Sequence, residues 1–380
     1  MDDVLPLRTL NRTLLERQFL TERTGRGAAE VVERLVALQG QEPNWPYLGL
    51  WARIADFRRE ELAALLADGR VVRSASLRST QHLSGGADFG RWRPLLQPVL
   101  DRTSRARYFA PATDGLDLDE LAATGRELLA GRTLSRQGLA VELATRYPGR
   151  DGRLLAAVVQ LRVPVLHGPD SSAWGGWGTR PNTSLALAEQ RPGELSAGAA
   201  VLRYLAAFGP AGVKDFQAWS GLTRTRTVFE ELRPRLRAYR DERGTELFDL
   251  PDAVLADPDR PVPVRFLPAY DNLLLGHADR TRVLADPDRP RVMPGSARVL
   301  PTFLLDGSVA GTWAVDGAEL RVTPFRPLPD AAAGEVAAEA GRLAAFLAPG
   351  QRVSFTGEPG TREPAAGGPA AGGPGLRPGR

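Results

Sequence analysis

Apolar residues recur at helical spacing over residues 8–20 and 28–38, and REELAALLA at 59–67 adds a third amphipathic stretch. The pattern then changes. VVRSASLRSTQHL, residues 71–83, is rich in Val, Ser and Thr with charges interleaved, which predicts strands. A long amphipathic stretch over 89–108 leads onward. From Leu116 the order repeats: LDLDELAATGRELLAG, LSRQGLAVELATRY and GRLLAAVVQL predict three helices, with Ser135 as an N-cap. VPVLHG follows, and SSAWGGWG then predicts a two-stranded wing. A third pass has a helix over 199–208 ended by Gly209-Pro210, a short one in GVKDFQAWSG closed by Gly221, and a longer one in TRTRTVFEELRPRL. LRAYRDERGTELFDL predicts a hairpin turning at 241–244.

Three helices followed by a hairpin is the winged-helix plan, whose third helix can enter a major groove. The three passes share this plan and not their residues. From 262 to 325 the short apolar runs VPVRFL, RVLPTFLL, SVAGTWAV and ELRVTPF predict a small antiparallel β-barrel or sandwich. One more helix follows in DAAAGEVAAEAGRLAAFLA. Beyond Thr356 the chain is a Gly/Pro/Ala-rich tail, expected to be disordered. The expected class is therefore α+β: three tandem winged-helix motifs, a C-terminal β-barrel and a disordered tail. The boundaries read 1–110, 111–195, 196–255, 256–356 and 357–380.

Composition narrows the chemistry. Of 380 residues 43% are hydrophobic, enough for a sizeable core, and no run of eighteen apolar residues spans a membrane. MDDVLPLRTLNRT lacks a basic region followed by an apolar one, so no secretory signal is expected. Without cysteine there are no disulfides, thiolate nucleophiles or cysteine-ligated metals. His82, His167 and His277 are far apart in sequence, so neither metal nor cofactor is expected, and the cytoplasm is the expected compartment. Formal charge is only +4, but the pI is 9.8 and Lys214 is the sole lysine. Arginine grips phosphate through its planar fork; a GC-rich coding sequence produces the same bias.

RLVALQGQEPNWPYLGLWAR, residues 34–53, is the most informative stretch. On a helix, residues two apart point about 200° from one another, so Gln39 and Gln41 could not share a site there. If Gly40 lets the chain leave the helix extended, both amides face one side and can orient a water without adding charge. The competing reading is a pair of solvated or helix-capping glutamines. Glu42, before Pro43, is a candidate base or a solvated loop carboxylate.

ALQGQEPNWPYLGLWARI resembles the signature region of the AlkZ/YcaQ-type winged-helix DNA glycosylases, which carry Gln-x-Gln or Gln-x-Asp here. RSTQHL, FGPAGVKDFQAWSGL, FLPAYDNLLLGHADRTRV and LPTFLLDGSVAGTW resemble further stretches of that family, so the likeness covers about residues 8–348. The family fold is three winged-helix motifs and a C-terminal barrel. Gly40 departs from the aliphatic residue or alanine usual there. The resemblance implies that Gln39 and Gln41 are catalytic. A guanine alkylated at N7 is already cationic and leaves without a general acid, so amides need only stabilise the oxocarbenium and hold the water. Arg73, Arg78 and His82, in the predicted wing, are candidates for contact with phosphate or minor groove, against an ordinary exposed strand. The resemblance puts 270–280 near the DNA, with Asp271, Asn272, His277 and Arg280 as candidates; Asp279 and Arg280 also fit a structural ion pair. Trp177 is a candidate wing tip and Trp174 fits core or wing, while Trp45, Tyr47 and Trp51 wall the glutamine site or fill core beneath it.

The expected activity is monofunctional hydrolysis of cationic N7-alkylguanine lesions, extending to bulky natural-product adducts or interstrand crosslinks. The resemblance links that activity to antibiotic self-resistance. Double-stranded DNA with alkylated purines is the expected partner, and a monomer the expected state. Bulky adducts predict a shallow open cleft over full base flipping. Two other readings fit the same elements: a winged-helix transcriptional regulator without catalysis, and a lesion sensor that sequesters adducts. No heptad or dimerisation helix supports the regulator.

Overall fold

The computed structural model describes residues 3–175, 182–188 and 195–356. Helices fall near their expected positions: Leu7–Arg17, Ala28–Arg34, Arg59–Ala67, Gly86–Ser104, Leu118–Leu129, Arg136–Arg146, Gly152–Arg162, Ala197–Phe208 and Val213–Ser220. The local start and stop signals are those anticipated. The Ser135 hydroxyl accepts from the Gly138 N–H at 2.9 Å, and Gly221 closes its helix at φ 82°. Asp241 receives the Arg243 and Thr245 N–H groups at 3.0 and 2.7 Å, turning the hairpin of Arg237–Asp241 and Glu246–Asp249. The periodicity did not reveal Trp45–Trp51, a helix whose Pro46 sits in the first turn where no N–H is needed.

Pairing between distant strands departs from the sequence expectation. Strands of the first two passes merge into one six-stranded sheet, in the order Leu38–Gln39, Gln81–Gly85, Val71–Ala75, Val165–His167, Ser184–Leu187, Leu134–Ser135. Arg73 opposite His167 joins its two halves. Asp3–Leu5, for which the sequence pattern predicted no strand, pairs in parallel with Arg237–Asp241. Residues of the first, third and C-terminal passes share one hydrophobic core, whereas the second pass packs its own around Leu121, Leu143, Leu155 and Val159.

The expected C-terminal barrel is corrected to an open five-stranded sheet, ordered Arg265–Leu267, Thr302–Leu305, Ser308–Asp316, Glu319–Pro324, Arg352–Phe355. Closure would need the two end strands to pair, and no such pairing is present among the described residues. The helix Asp330–Leu347 packs against both end strands, with Val336, Ala340 and Leu343 fully buried, and returns the chain parallel to Glu319–Pro324. Apolar strand runs alone do not distinguish a closed sheet from one covered by a helix.

One buried ion pair ties the C-terminal region to the helical one. Both Arg53 Nη atoms donate to Asp271, at 2.8 and 2.7 Å, with the arginine at 0% exposure. Replacing Asp271 with alanine strands that guanidinium away from water. The expected cost is about 3–5 kcal/mol, read as a lower denaturant midpoint; a loss under about 1 kcal/mol would show that the pair is not a tie.

Candidate active site

Gln39 owes its placement to an early helix stop. The helix ends at Arg34, and Val36 adopts φ 69°, a conformation that β-branched residues rarely take. The chain reverses there, earlier than the apolar run to Leu38 suggests. Leu38 and Gln39 then pair antiparallel with Leu83 and His82, and the Gly40 N–H donates to the Gln81 carbonyl at 2.8 Å. Gln39 is thus on an extended chain, with its side chain on the same sheet face as His82.

The two amides lie along the Gln81–His82 backbone. Gln39 Oε1 accepts from the Gln41 N–H at 2.7 Å, and Gln41 Oε1 accepts from the Gln81 N–H at 3.4 Å. Gln39 is 8% exposed and Gln41 is open to solvent. Neither Nε2 meets an acceptor among the described residues, so both NH2 groups stay available as donors. A Cβ on Gly40 would lie 2.7 Å from Leu83 Cδ1, so Leu83 occupies the space an alanine there would need.

Three of the residues expected to touch DNA instead form the frame behind the glutamines. Arg73 is 7% exposed; its Nε donates to the Gly40 carbonyl at 2.9 Å, Nη2 to that of Gln41 at 3.0 Å, and Nη1 to that of Ser171 at 2.7 Å. Asn272 Nδ2 donates to the Ala37 carbonyl at 2.7 Å, at the start of the same segment. Asp271, besides holding Arg53, caps Asn272–Leu275 through the Leu273 N–H at 2.9 Å. Burial keeps these three side chains from a phosphate backbone.

His82 and His277 are likewise internal. His82 is 1% exposed, not on an exposed strand. Its Nδ1 faces the Thr80 carbonyl at 2.9 Å and so carries the proton. Burial, then the Arg78 charge, pushes its pKa down to about 3. His277 has its Nε2 3.0 Å from the Phe208 carbonyl, and burial first and Arg282 second take it to about 3. His167 reaches about 3 through burial and then the charges of Arg73 and Arg136.

Arg78 and Arg280 are half-buried. Arg78, at φ 51°, donates to the Trp219 carbonyl; burial, then the Arg280 charge, lowers its pKa to about 10. Arg280 Nε donates to the Leu274 carbonyl at 2.7 Å, and burial followed by Arg289 lowers its pKa. The candidate Asp279–Arg280 ion pair is absent: Asp279 bonds Arg243 at 3.0 Å. Cations therefore crowd one another from beside His82 outward. Sequence reasoning missed Arg289 and Arg53, which carry no local signal.

The aromatic residues divide similarly. Tyr47 is 1% exposed and meets Trp174 edge-on with centroids 5.5 Å apart, and Arg59 lies over the Trp174 ring at 4.0 Å. Trp51 packs on Phe346 and Trp45 on Trp313, so these rings are packing partners beneath the glutamine loop. Asn44 Oδ1 accepts from the Gly175 N–H at 2.8 Å, a second link to the segment after Val165–His167. Trp177 lies outside the described residues.

Known proteins of one kind share this arrangement of elements. The family model for DNA glycosylase AlkZ-like proteins matches residues 32–346. An interstrand DNA cross-link repair glycosylase of Streptomyces sahachiroi is 27% identical over 343 residues, 82% of this chain and 88% of the relative. The solved structure of Streptomyces sahachiroi DNA glycosylase AlkZ matches with a TM-score of 0.75 at 25% identity, covering 93% of this chain and 100% of that one. Among the described residues no helix is long and apolar enough to cross a membrane.

The histidines set a pH dependence. Unfolded, they titrate near 6.5, whereas the folded protein keeps all three neutral to about 3. Below about pH 6.5 the unfolded chain binds protons that the folded one refuses, so stability falls as pH drops from there toward 3. Denaturant midpoints should decline steadily from pH 6.5 to 4, and less steeply in a His82→Gln, His277→Gln protein. A flat wild-type profile would show that the histidines are not neutral inside.

Proposed function

The chain belongs to the AlkZ-like DNA glycosylase family, and from that premise we propose that it hydrolyses the N-glycosidic bond of cationic N7-alkylguanine in double-stranded DNA, with Gln39 and Gln41 as the catalytic pair. The bond between C1′ and N9 breaks with its electron pair passing to the cationic base, which leaves neutral. A water oxygen then bonds C1′, and its proton passes to solvent. No general acid is needed, because the leaving base already carries the charge.

The observation that carries this reading is the Gln39 amide. Its Oε1 is held by the Gln41 N–H at 2.7 Å, which fixes the side chain and leaves its NH2 and second oxygen lone pair for a water at the sugar. Gln41, one residue from Gly40 and solvent-exposed, offers the second amide. Such a pair positions groups and stabilises charge; it does not transfer protons, so it favours activated lesions over normal bases. The relative's name specifies interstrand cross-links, and bulky or cross-linked adducts are the lesion class we propose here too, acted on by a monomer in an open cleft. The regulator reading finds no support in the comparisons.

Arg78, Arg280 and Arg289 supply phosphate contacts in this proposal. They repel one another, and a polyanion relieves that repulsion. Arg280→Ala should weaken binding to all duplexes alike and flatten the slope of log affinity against log salt by about 1. An unchanged slope would remove Arg280 from the interface.

Excision is tested on a duplex with one N7-methylguanine, in parallel with an N7-linked interstrand crosslink. Heating in alkali after incubation should break the methylated strand at the lesion, and released base should appear by mass spectrometry. The double variant Gln39→Ala, Gln41→Ala should keep DNA affinity and lose about 10²–10³-fold in rate, the range for removing transition-state donors. Undiminished excision by that variant would exclude the glutamines.

A further inference from the structure

We propose that Arg73 is a positioning residue for excision, holding the Gly40–Gln41 peptide so that Gln39 presents its amide to the substrate; this rests on the catalytic reading of the glutamines. The geometry is specific. The Gly40 carbonyl accepts from Arg73 Nε at 2.9 Å, and the N–H of the same peptide unit, on Gln41, donates to Gln39 Oε1 at 2.7 Å. In a trans peptide the C=O and N–H point to opposite sides. Arg73 therefore lies behind the unit and the Gln39 amide before it. Pinning one end orients the other.

The hold extends beyond one bond. Arg73 Nη2 takes the Gln41 carbonyl at 3.0 Å, so carbonyls on both sides of the Gln41 Cα are fixed and its backbone torsions are set. Nη1 reaches the Ser171 carbonyl at 2.7 Å, so one guanidinium joins the glutamine segment to the segment after Val165–His167. The base of the side chain is equally fixed, since Arg73 lies mid-sheet between Leu83 and His167. A positive charge on the Gly40 carbonyl also polarises the peptide and strengthens the N–H donation to Gln39. Pulling Oε1 onto the backbone turns the Gln39 NH2 away from it.

Lysine cannot replace this group. Its ammonium is a compact point charge and lacks the planar fork that spans three carbonyls. A DNA contact makes a different prediction for the same residue, because a phosphate-binding arginine adds to the salt dependence of affinity. At 7% exposure Arg73 adds nothing to it.

The test uses the full chain with Arg73→Lys and Arg73→Gln. Hydrogen exchange followed by mass spectrometry should show faster exchange over residues 36–47 and over the segment around Ser171, and not elsewhere. Single-turnover excision of N7-methylguanine should fall about 10²-fold, the scale of a displacement of an ångström at the reacting atoms. Affinity for undamaged duplex and its salt slope should not change. In a Gln39→Ala, Gln41→Ala background, Arg73→Lys should cost nothing further, since both amides on the segment it holds are gone. A salt slope lowered by about 1 would make Arg73 a phosphate contact, and an additive loss in that background would make it act apart from the glutamines; either overturns the proposal. If Arg73→Gln proves unfolded by thermal melt, Arg73→Lys carries the test. A wild-type protein that excises nothing refutes the glycosylase chemistry instead, while unchanged exchange over 36–47 refutes the tie by itself.

Discussion

The site depends on two residues of strand. Leu38 and Gln39 pair with Leu83 and His82, and this short ladder converts what would be the end of a helix into an extended edge. In a helix the two glutamines would diverge; on the extended edge, one accepts the other's backbone N–H. The reversal at Val36 carries a conformational cost of its own, of order 1–3 kcal/mol for such a residue. Packing offsets it, since Leu35, Val36 and Ala37 are all nearly fully buried. A costly turn kept by burial is what is expected next to a site where geometry matters more than local preference.

Arginine use divides into two populations that composition merges. Arg12, Arg53, Arg73, Arg93, Arg162 and Arg282 are each under 8% exposed, and they bond backbone carbonyls or carboxylates. These cations are internal ties that replace water at carbonyls which no strand or helix satisfies. They contribute to the pI of 9.8 and offer nothing to a phosphate. Others keep some contact with solvent, and among them the half-exposed Arg78 and Arg280 lie in each other's positive field. The high pI therefore overstates the basic surface, and position decides which cations face outward.

The segment over residues 270–280 has a similar double character. The family resemblance placed it near DNA, yet Asp271, Asn272 and His277 are 4%, 3% and 2% exposed. They bond Arg53, the Ala37 carbonyl and the Phe208 carbonyl. A dense polar run inside a fold has to meet partners there, because an unpaired buried polar group costs as much as a lost hydrogen bond. Here the partners are the Arg53 guanidinium and two backbone carbonyls of other segments, so the run links the C-terminal region to the strand that bears Gln39. His82 behaves in the same way: from sequence it belonged to an exposed wing, but its strand lies between two others and is covered.

Helix positions, the caps at Ser135 and Gly221, and the Asp241 turn were legible in the sequence, because periodicity and capping are local properties that a few neighbouring side chains determine. The proximity of the two glutamines was legible only as a condition, that the chain leave its helix extended. Whether it did so depended on Gln81–Gly85, some forty residues away. The same holds for the merged six-stranded sheet, for the open C-terminal sheet where a barrel was expected, and for which arginines are buried. Strand pairing and burial are decided between segments distant in the chain, where hydrogen-bond partners and excluded water come from the whole fold, and no local pattern records them.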